Sequence, residues 1–298
     1  MDLLAKEGTI AKVDGGFLVR VRGKSYVKDL PGVECENPRA AEERRVYRKL
    51  FTKKHIYLAG EYEHAVKEVL RGTDVVVLGM NGYSDLSAEK CALWGVKPGA
   101  YEQACIGILK MLHKRLNQHF KDIDIRFADG ASAASGGGVD WAIINAARDL
   151  NCQHLGHSCP KFMFYVLDDE DPVYVAETQV DYANAFIDSL DILVAANGRM
   201  QAFRHDIMAV FEKMKYLIPV NVLKSLSTNG GMPAVDAKGQ IEDAVATYEQ
   251  RVHLIGQRII QSSADPYRDL VLNICNEAVG IVRPLLSGER AYGNIHLE

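Results

Sequence analysis

The sequence predicts an α/β protein: a doubly wound, mostly parallel sheet with an N-terminal β-hairpin extension and a C-terminal helical hairpin. Three observations predict it. The runs "DVVVLGM" and "DILVAANG" are apolar without polar alternation, as strands covered on both faces are. Segments of helical periodicity lie between such runs, as in Tyr101–Phe120, where Ile106, Leu109, Leu112 and Leu116 recur at helical spacing. Glycine-bearing segments follow the strands, where parallel sheets bind ligands.

Taken in order, residues 8–27 read as a hairpin, two alternating runs around Asp14-Gly15-Gly16. Residues 40–70 read as helix in two pieces around "HIYLAG". The first core strand starts near Thr73 and a long loop follows it to Ala100. After the helix Tyr101–Phe120, "IDIRFADG" is a second strand. A small-residue loop and a helix to Leu150 come next, then a third strand in "CQHLGHSCP". "KFMFYVLDDEDPVYV" fits strand or loop. Thr178–Leu190 is helical, "DILVAANG" is a strand, a helix runs to about Met214, and "IPVNVL" is the last strand. Beyond Leu226 a polar, glycine-bearing stretch precedes helices at 240–262 and 266–286. The expected divisions are 1–71, a ligand-binding core at 72–226, and a C-terminal extension at 227–298, with the terminal helices packing on the sheet or pairing with a second subunit.

Composition narrows the class. A formal net charge of −4 speaks against nucleic acid as a partner, because broad binding needs clustered positive charge. The basic stretch Arg39–Lys54 is interrupted by Glu42 and Glu43 and suits a solvated face. No run reaches the roughly 18 apolar residues of a membrane span, and no secretory signal is visible at the start. Six cysteines in a chain of 298 residues do not form a disulfide scaffold, so reduced thiols and a cytoplasmic setting are expected.

The segment "FADGASAASGGGVDWAIINAARDL" carries the strongest functional signal. A helix N-terminus presents unpaired N–H groups and partial positive charge, and glycines let an anion approach them. Gly136, Gly137 and Gly138 would form the floor, with Ser132 and Ser135 as hydroxyl donors. Asp140, in the first helical turn, would cap the helix or accept hydrogen bonds from a ribose. The spacing matches neither the dinucleotide fingerprint nor a P-loop. A second turn, Asn197-Gly198, also separates a strand from a helix, with Arg199, Arg204 and His205 close behind. Asn81 and Gly82 end the first strand.

These two motifs resemble the SLOG superfamily of Rossmann-like proteins, which includes nucleoside-monophosphate phosphoribohydrolases of the LOG type, DNA-processing DprA proteins and nucleotide-derivative sensors. The resemblance covers about Thr73 to Leu223. Gly136, Gly137, Gly138, Asp140 and Ala142 match the first glycine motif, Asn197 and Gly198 the second, and "GMNGYSD" the first ligand loop. It implies a Rossmann-like fold and a bound nucleotide or nucleotide derivative. The phosphoribohydrolases carry P-G-G-x-G-T-x-x-E. Here Gln201 stands at the threonine and Arg204 at the glutamate, so ligand binding is better supported than hydrolysis. N-glycosidic hydrolysis of a nucleoside monophosphate or an NAD-like dinucleotide remains the alternative. It would need another carboxylate, from Glu177, Asp181 or Asp206.

Other clusters are weaker. Cys152, His154, His157 and Cys159 are metal-capable residue types, but period two sends the pairs to opposite faces, so packing is expected. His157, at the strand's carboxyl end, remains a candidate contact to a base or phosphate. Asp168–Asp171 reads first as a solvated loop and second as a Mg²⁺ site beside a diphosphate; no cofactor is otherwise required. Tyr182 and Asn184 are placed to face the crevice. The expected partners are a nucleotide-like small molecule and a second copy of the chain.

Overall fold

In the first of two sheets, β1 (Gly8–Val13) and β2 (Gly16–Gly23) pair antiparallel across the two-residue turn Asp14-Gly15, where Gly15 has φ +87°. With β3 (Glu34–Cys35) and β4 (Arg45–Phe51) they form a four-stranded sheet of order β1-β2-β4-β3. The computed structural model describes residues 8–23, 34–35, 45–51, 55–84, 86, 88–131, 137–163, 171–198, 206, 208–213, 215–228, 274–276, 278–283 and 286. The hairpin is as expected. Residues 45–51 are a strand where the sequence predicted helix. Their Arg, Lys and Leu content favours helix locally, but pairing with β2 from Phe17 to Gly23 overrides it.

The second sheet has seven strands, all parallel: β5 (Ile56–Leu58), β6 (Val75–Gly82), β7 (Asp124–Asp129), β8 (His154–Ser158), β9 (Val173–Val175), β10 (Ile192–Ala196) and β11 (Tyr216–Val220). Their order is β11-β10-β6-β7-β8-β9-β5. Connecting helices are α1 (Tyr62–Val69), α2 (Ala88–Trp94), α3 (Ala100–His119), α4 (Gly138–Leu150), α5 (Gln179–Ser189), α6 (Met208–Glu212) and α7 (Val222–Leu226). Helix α2 lies where the sequence predicted only loop, and the last strand begins two residues before Ile218.

Two cores sandwich the sheet, as covered parallel strands require. On one face Val76, Leu78 and Met80 of β6 pack with α3, α4 and Val222 and Leu223. On the other, Val77 packs with α1, α5 and Val210 of α6. Residues 274–276 and 278–283 are helical, and Ile274, Ala278, Ile281 and Val282 are buried in the first core. The predicted helix at 240–262 lies outside the described residues.

The strand order defines a Rossmann-like fold. From β6 the chain moves outward through β7 and β8 in one direction and later returns to lay β10 on the opposite side of β6. The strand order thus reverses between β6 and β10, where Gly82 pairs with Ala196 at the carboxyl ends. Such switch points open a crevice for ligands.

Candidate functional site

The floor of this crevice is built by Tyr101. Its hydroxyl donates to the Ala196 carbonyl (2.6 Å) and accepts the Tyr83 N–H (3.1 Å), which ties the end of β10 to the segment leaving β6. Gly82 leaves room for that hydroxyl; a Cβ there would overlap it and approach the Ala196 oxygen to 2.8 Å. Gly82 is therefore a packing glycine.

Asn197 and Gly198 follow β10 with positive φ, +65° and +124°. The Asn197 side chain is fully engaged inside the fold. Its Nδ2 donates to Asn221 Oδ1 (2.8 Å), and its Oδ1 accepts the Leu223 N–H (3.0 Å) in the first turn of α7. It is 1% exposed and holds the β11–α7 turn. Arg199 and Arg204 lie outside the described residues, as do Ser132, Ser135 and Gly136.

The N-terminus of α4 differs from the sequence expectation. Gly138 N–H donates to Glu102 Oε1 (3.0 Å), and Val139 N–H donates to the Tyr83 carbonyl (2.8 Å). A carboxyl group from α3 thus takes the Gly138 amide, one of the three glycine positions expected to form the anion floor. Gly137 also faces it, since a Cβ there would lie 3.2 Å from Glu102 Oε1. The amide of Gly138 is not free for phosphate, which corrects that reading. Helical spacing puts Glu102, four residues before Ile106, on the buried stripe of α3, where it is 7% exposed, but spacing does not show that it meets Gly138.

Asp140 does not cap α4; the helix has no side-chain cap. Its Oδ1 instead accepts the Gly130 N–H (2.8 Å) and pins the chain leaving β7. A Cβ on Gly130 would meet both Asp140 Oδ1 and the Tyr182 hydroxyl, at 2.5 and 2.8 Å, so these groups converge. Asp206 completes the cluster by accepting from Asn81 Nδ2 (3.2 Å). Asp140, Tyr182 and Asp206 each keep part of their surface open. Burial pushes the Asp206 carboxyl up to about 7 against the opposing Asn81 hydrogen bond. Burial and then the charge of Asp129 push Asp140 up to about 7. Burial raises Tyr182 well above its ordinary value, and Asp140 and Asp206 add to this.

A carboxyl group with a raised folded pKa costs the fold nothing below about pH 4, and its cost grows to full size by about pH 7. Asp206→Asn keeps an acceptor for Asn81 and removes the charge. It is expected to stabilise the protein by roughly 1–2 kcal/mol at pH 8, reduced from a larger buried value by the solvent that reaches the group. No gain is expected at pH 3.5. Urea melts at the two pH values check this, and an equal gain at both would contradict it.

Behind the crevice, Asp129 is fully buried. Its Oδ1 accepts the N–H of Ala131, two residues on, and its Oδ2 pairs with His154 Nδ1 (2.8 Å). His154 Nε2 reaches Asp171 (3.3 Å), which Arg148 holds at 2.6 Å. Burial alone would lower the His154 pKa, but the hydrogen bonds to Asp129 and Asp171 outweigh it and carry the ring to about 10. His157 faces the other side of the sheet. It is fully buried beside Tyr174 and Phe186, with ring centroids 6.2 and 5.9 Å away, and burial pushes it down to about 4. It does not line the crevice. Among the described residues, no group of three or more His, Cys, Asp or Glu side chains is arranged to hold a metal ion. No helix there is long and apolar enough to cross a membrane.

Of the carboxylates considered for hydrolysis, Glu177 is exposed. Asp181 is also exposed and is held by Thr178 at the start of α5. Only Asp206 reaches the crevice.

No protein-family model matches the sequence. No curated protein matches it either. Among solved structures, the chain is similar to DNA processing protein A from Helicobacter pylori, described for its single-stranded DNA binding. The TM-score is 0.38 at 10% identity, over 72% of this chain and 83% of that one. The likeness fixes no ligand for this chain, and the fold assignment rests on its own strand order. The expectation against nucleic acid is withdrawn: the similar structure is of a protein described for its single-stranded DNA binding.

Proposed function

We propose that the protein binds a nucleotide or nucleotide-derived ligand at the carboxyl ends of β6 and β10, in the manner of SLOG-type domains. The observation that carries this reading is the convergence of Asn81, Asp140, Tyr182 and Asp206 at the point where the strand order reverses. Polar groups gathered in a crevice at such a point are the usual signature of a small-molecule site. In sequence, Ser132, Ser135 and Gly136 lie between Asp129 and Asp140, and Arg199 and Arg204 lie between Asn197 and Asp206; all are anion-binding residue types.

One observation favours N-glycosidic hydrolysis as a second reading. Burial pushes both the Asp140 and the Asp206 carboxyl up to about 7, which suits general acid and base roles at neutral pH. Asp206 would act on the glycosidic bond in place of the glutamate that the motif lacks.

One experiment separates the readings. The protein is titrated with AMP, CMP and NAD by calorimetry, and the same samples are chromatographed for released base. Saturable heat without base supports binding alone. Base release that disappears in Asp206→Asn supports hydrolysis. No heat and no release with any of the three would overturn both.

A further inference from the structure

Among the described residues, the side-chain polar atoms at the crevice are mostly acceptors. Asn81 is 4% exposed and spends its Nδ2 on Asp206, leaving Oδ1 buried with no hydrogen-bond partner among the described residues. An unsatisfied buried acceptor is costly and calls for a partner that donates. Above it stand the carboxyl groups of Asp206 and Asp140. Asp140 spends one oxygen on Gly130. On the other side, Glu102 places a second buried oxygen without a partner, Oε2, beside the start of α4. The donors among these side chains are the Tyr182 hydroxyl and the Asn81 amide, one N–H of which is spent on Asp206.

Such a floor is wrong for phosphate. A phosphate would bring acceptor oxygens and negative charge against Asp140, Asp206 and Glu102, and the Gly138 and Val139 amides that would have received it are taken. A vicinal diol fits instead. Each hydroxyl donates one hydrogen bond to a carboxyl oxygen or to Asn81 Oδ1 and still accepts one from Tyr182 or from a protonated carboxyl. The same logic places an acidic residue on the ribose hydroxyl in dinucleotide sites.

We propose that the crevice floor selects the ribose diol of its ligand through Asp206, Asp140 and Asn81, with the phosphate directed outward, away from the start of α4. This rests on the nucleotide-binding reading and fixes the ligand's orientation and sugar. A ribonucleotide is therefore bound in preference to its 2′-deoxy counterpart.

The test compares AMP, 2′-deoxy-AMP, adenosine, 2′-deoxyadenosine and inorganic phosphate by calorimetry at pH 7.5, on wild type and on Asn81→Leu, with circular dichroism melts to confirm that the variant folds. The expected result is about tenfold or greater loss of affinity on removing the 2′-hydroxyl, the size of one lost charge-assisted hydrogen bond. Adenosine is expected to retain the preference over 2′-deoxyadenosine, and Asn81→Leu to narrow it. If the variant does not fold, Asp206→Asn replaces it. Equal affinity for AMP and 2′-deoxy-AMP would overturn the sugar selection and leave the nucleotide-binding reading standing. Inorganic phosphate that competes with adenosine for one site would overturn the orientation. No binding of AMP or adenosine would overturn the inference together with that reading.

Discussion

Gly138→Ala is expected to destabilise the protein by roughly 2–5 kcal/mol, measured as a fall in the urea midpoint. Two costs add. Gly138 has φ +82°, a conformation that costs an L-residue roughly 1–2 kcal/mol. A Cβ there would also overlap the Ser84 carbonyl and lie 2.9 Å from the Ser84 Cα. Backbone cannot rotate aside as a side chain can, so overpacking adds roughly 1–3 kcal/mol. Gly99 provides the control. Its φ is +78°, but a Cβ there meets nothing within 4 Å, so Gly99→Ala carries the conformational cost alone. Equal losses in the two variants would show that the contact of α4 with Ser84 is not close. The expected damage reaches the site, because this contact, the Glu102 hydrogen bond and the Asp140–Gly130 hydrogen bond together fix where α4 begins.

That contact marks where the sequence stops being legible. The parallel strands are readable because burial on both faces removes polar alternation, as Val75–Met80 and Ile192–Ala196 show. The carboxyl ends are readable because glycines follow them. What meets at those ends is not, since the partners come from distant chain. Glu102 reaches Gly138 across 36 positions, Asn221 reaches Asn197 across 24, and Asp206 reaches Asn81 across 125. Helical and strand periodicity report the face a residue occupies, and an anion site and a filled helix start have the same glycines. The misread strand β4 has the same origin, because its partner β2 is distant and its own residues favour helix. Asp206 is legible as a candidate from its chemistry, but its place beside Asn81 follows only from the fold.

His154 gives the second large effect. Removing the ring in His154→Ala leaves the fully buried Asp129 carboxylate without its ion-pair partner, for which a loss of about 3–5 kcal/mol near pH 6 is expected. The loss should depend on pH in a way that packing alone does not. The folded pKa of His154, about 10, lies above its unfolded value of 6.5, so its contribution is full below pH 6.5 and fades as pH rises toward 10. Asp171 behaves oppositely. Burial raises its pKa, but His154 and Arg148 outweigh that and hold it at about 2, below 3.8, so its contribution is full above pH 3.8 and fades as pH falls toward 2. The stability difference between wild type and His154→Ala should therefore be widest between about pH 4 and 6.5 and narrow on both sides. Urea melts of the two proteins at pH 3, 5.5, 8 and 10 measure it. A difference that stays constant across that range would mean that His154 only fills space. A two-sided narrowing would mean that the network anchors Asp129 by charge. Asp129 in turn is one cause of the raised Asp140 pKa, so the network behind the crevice touches a group that lines it.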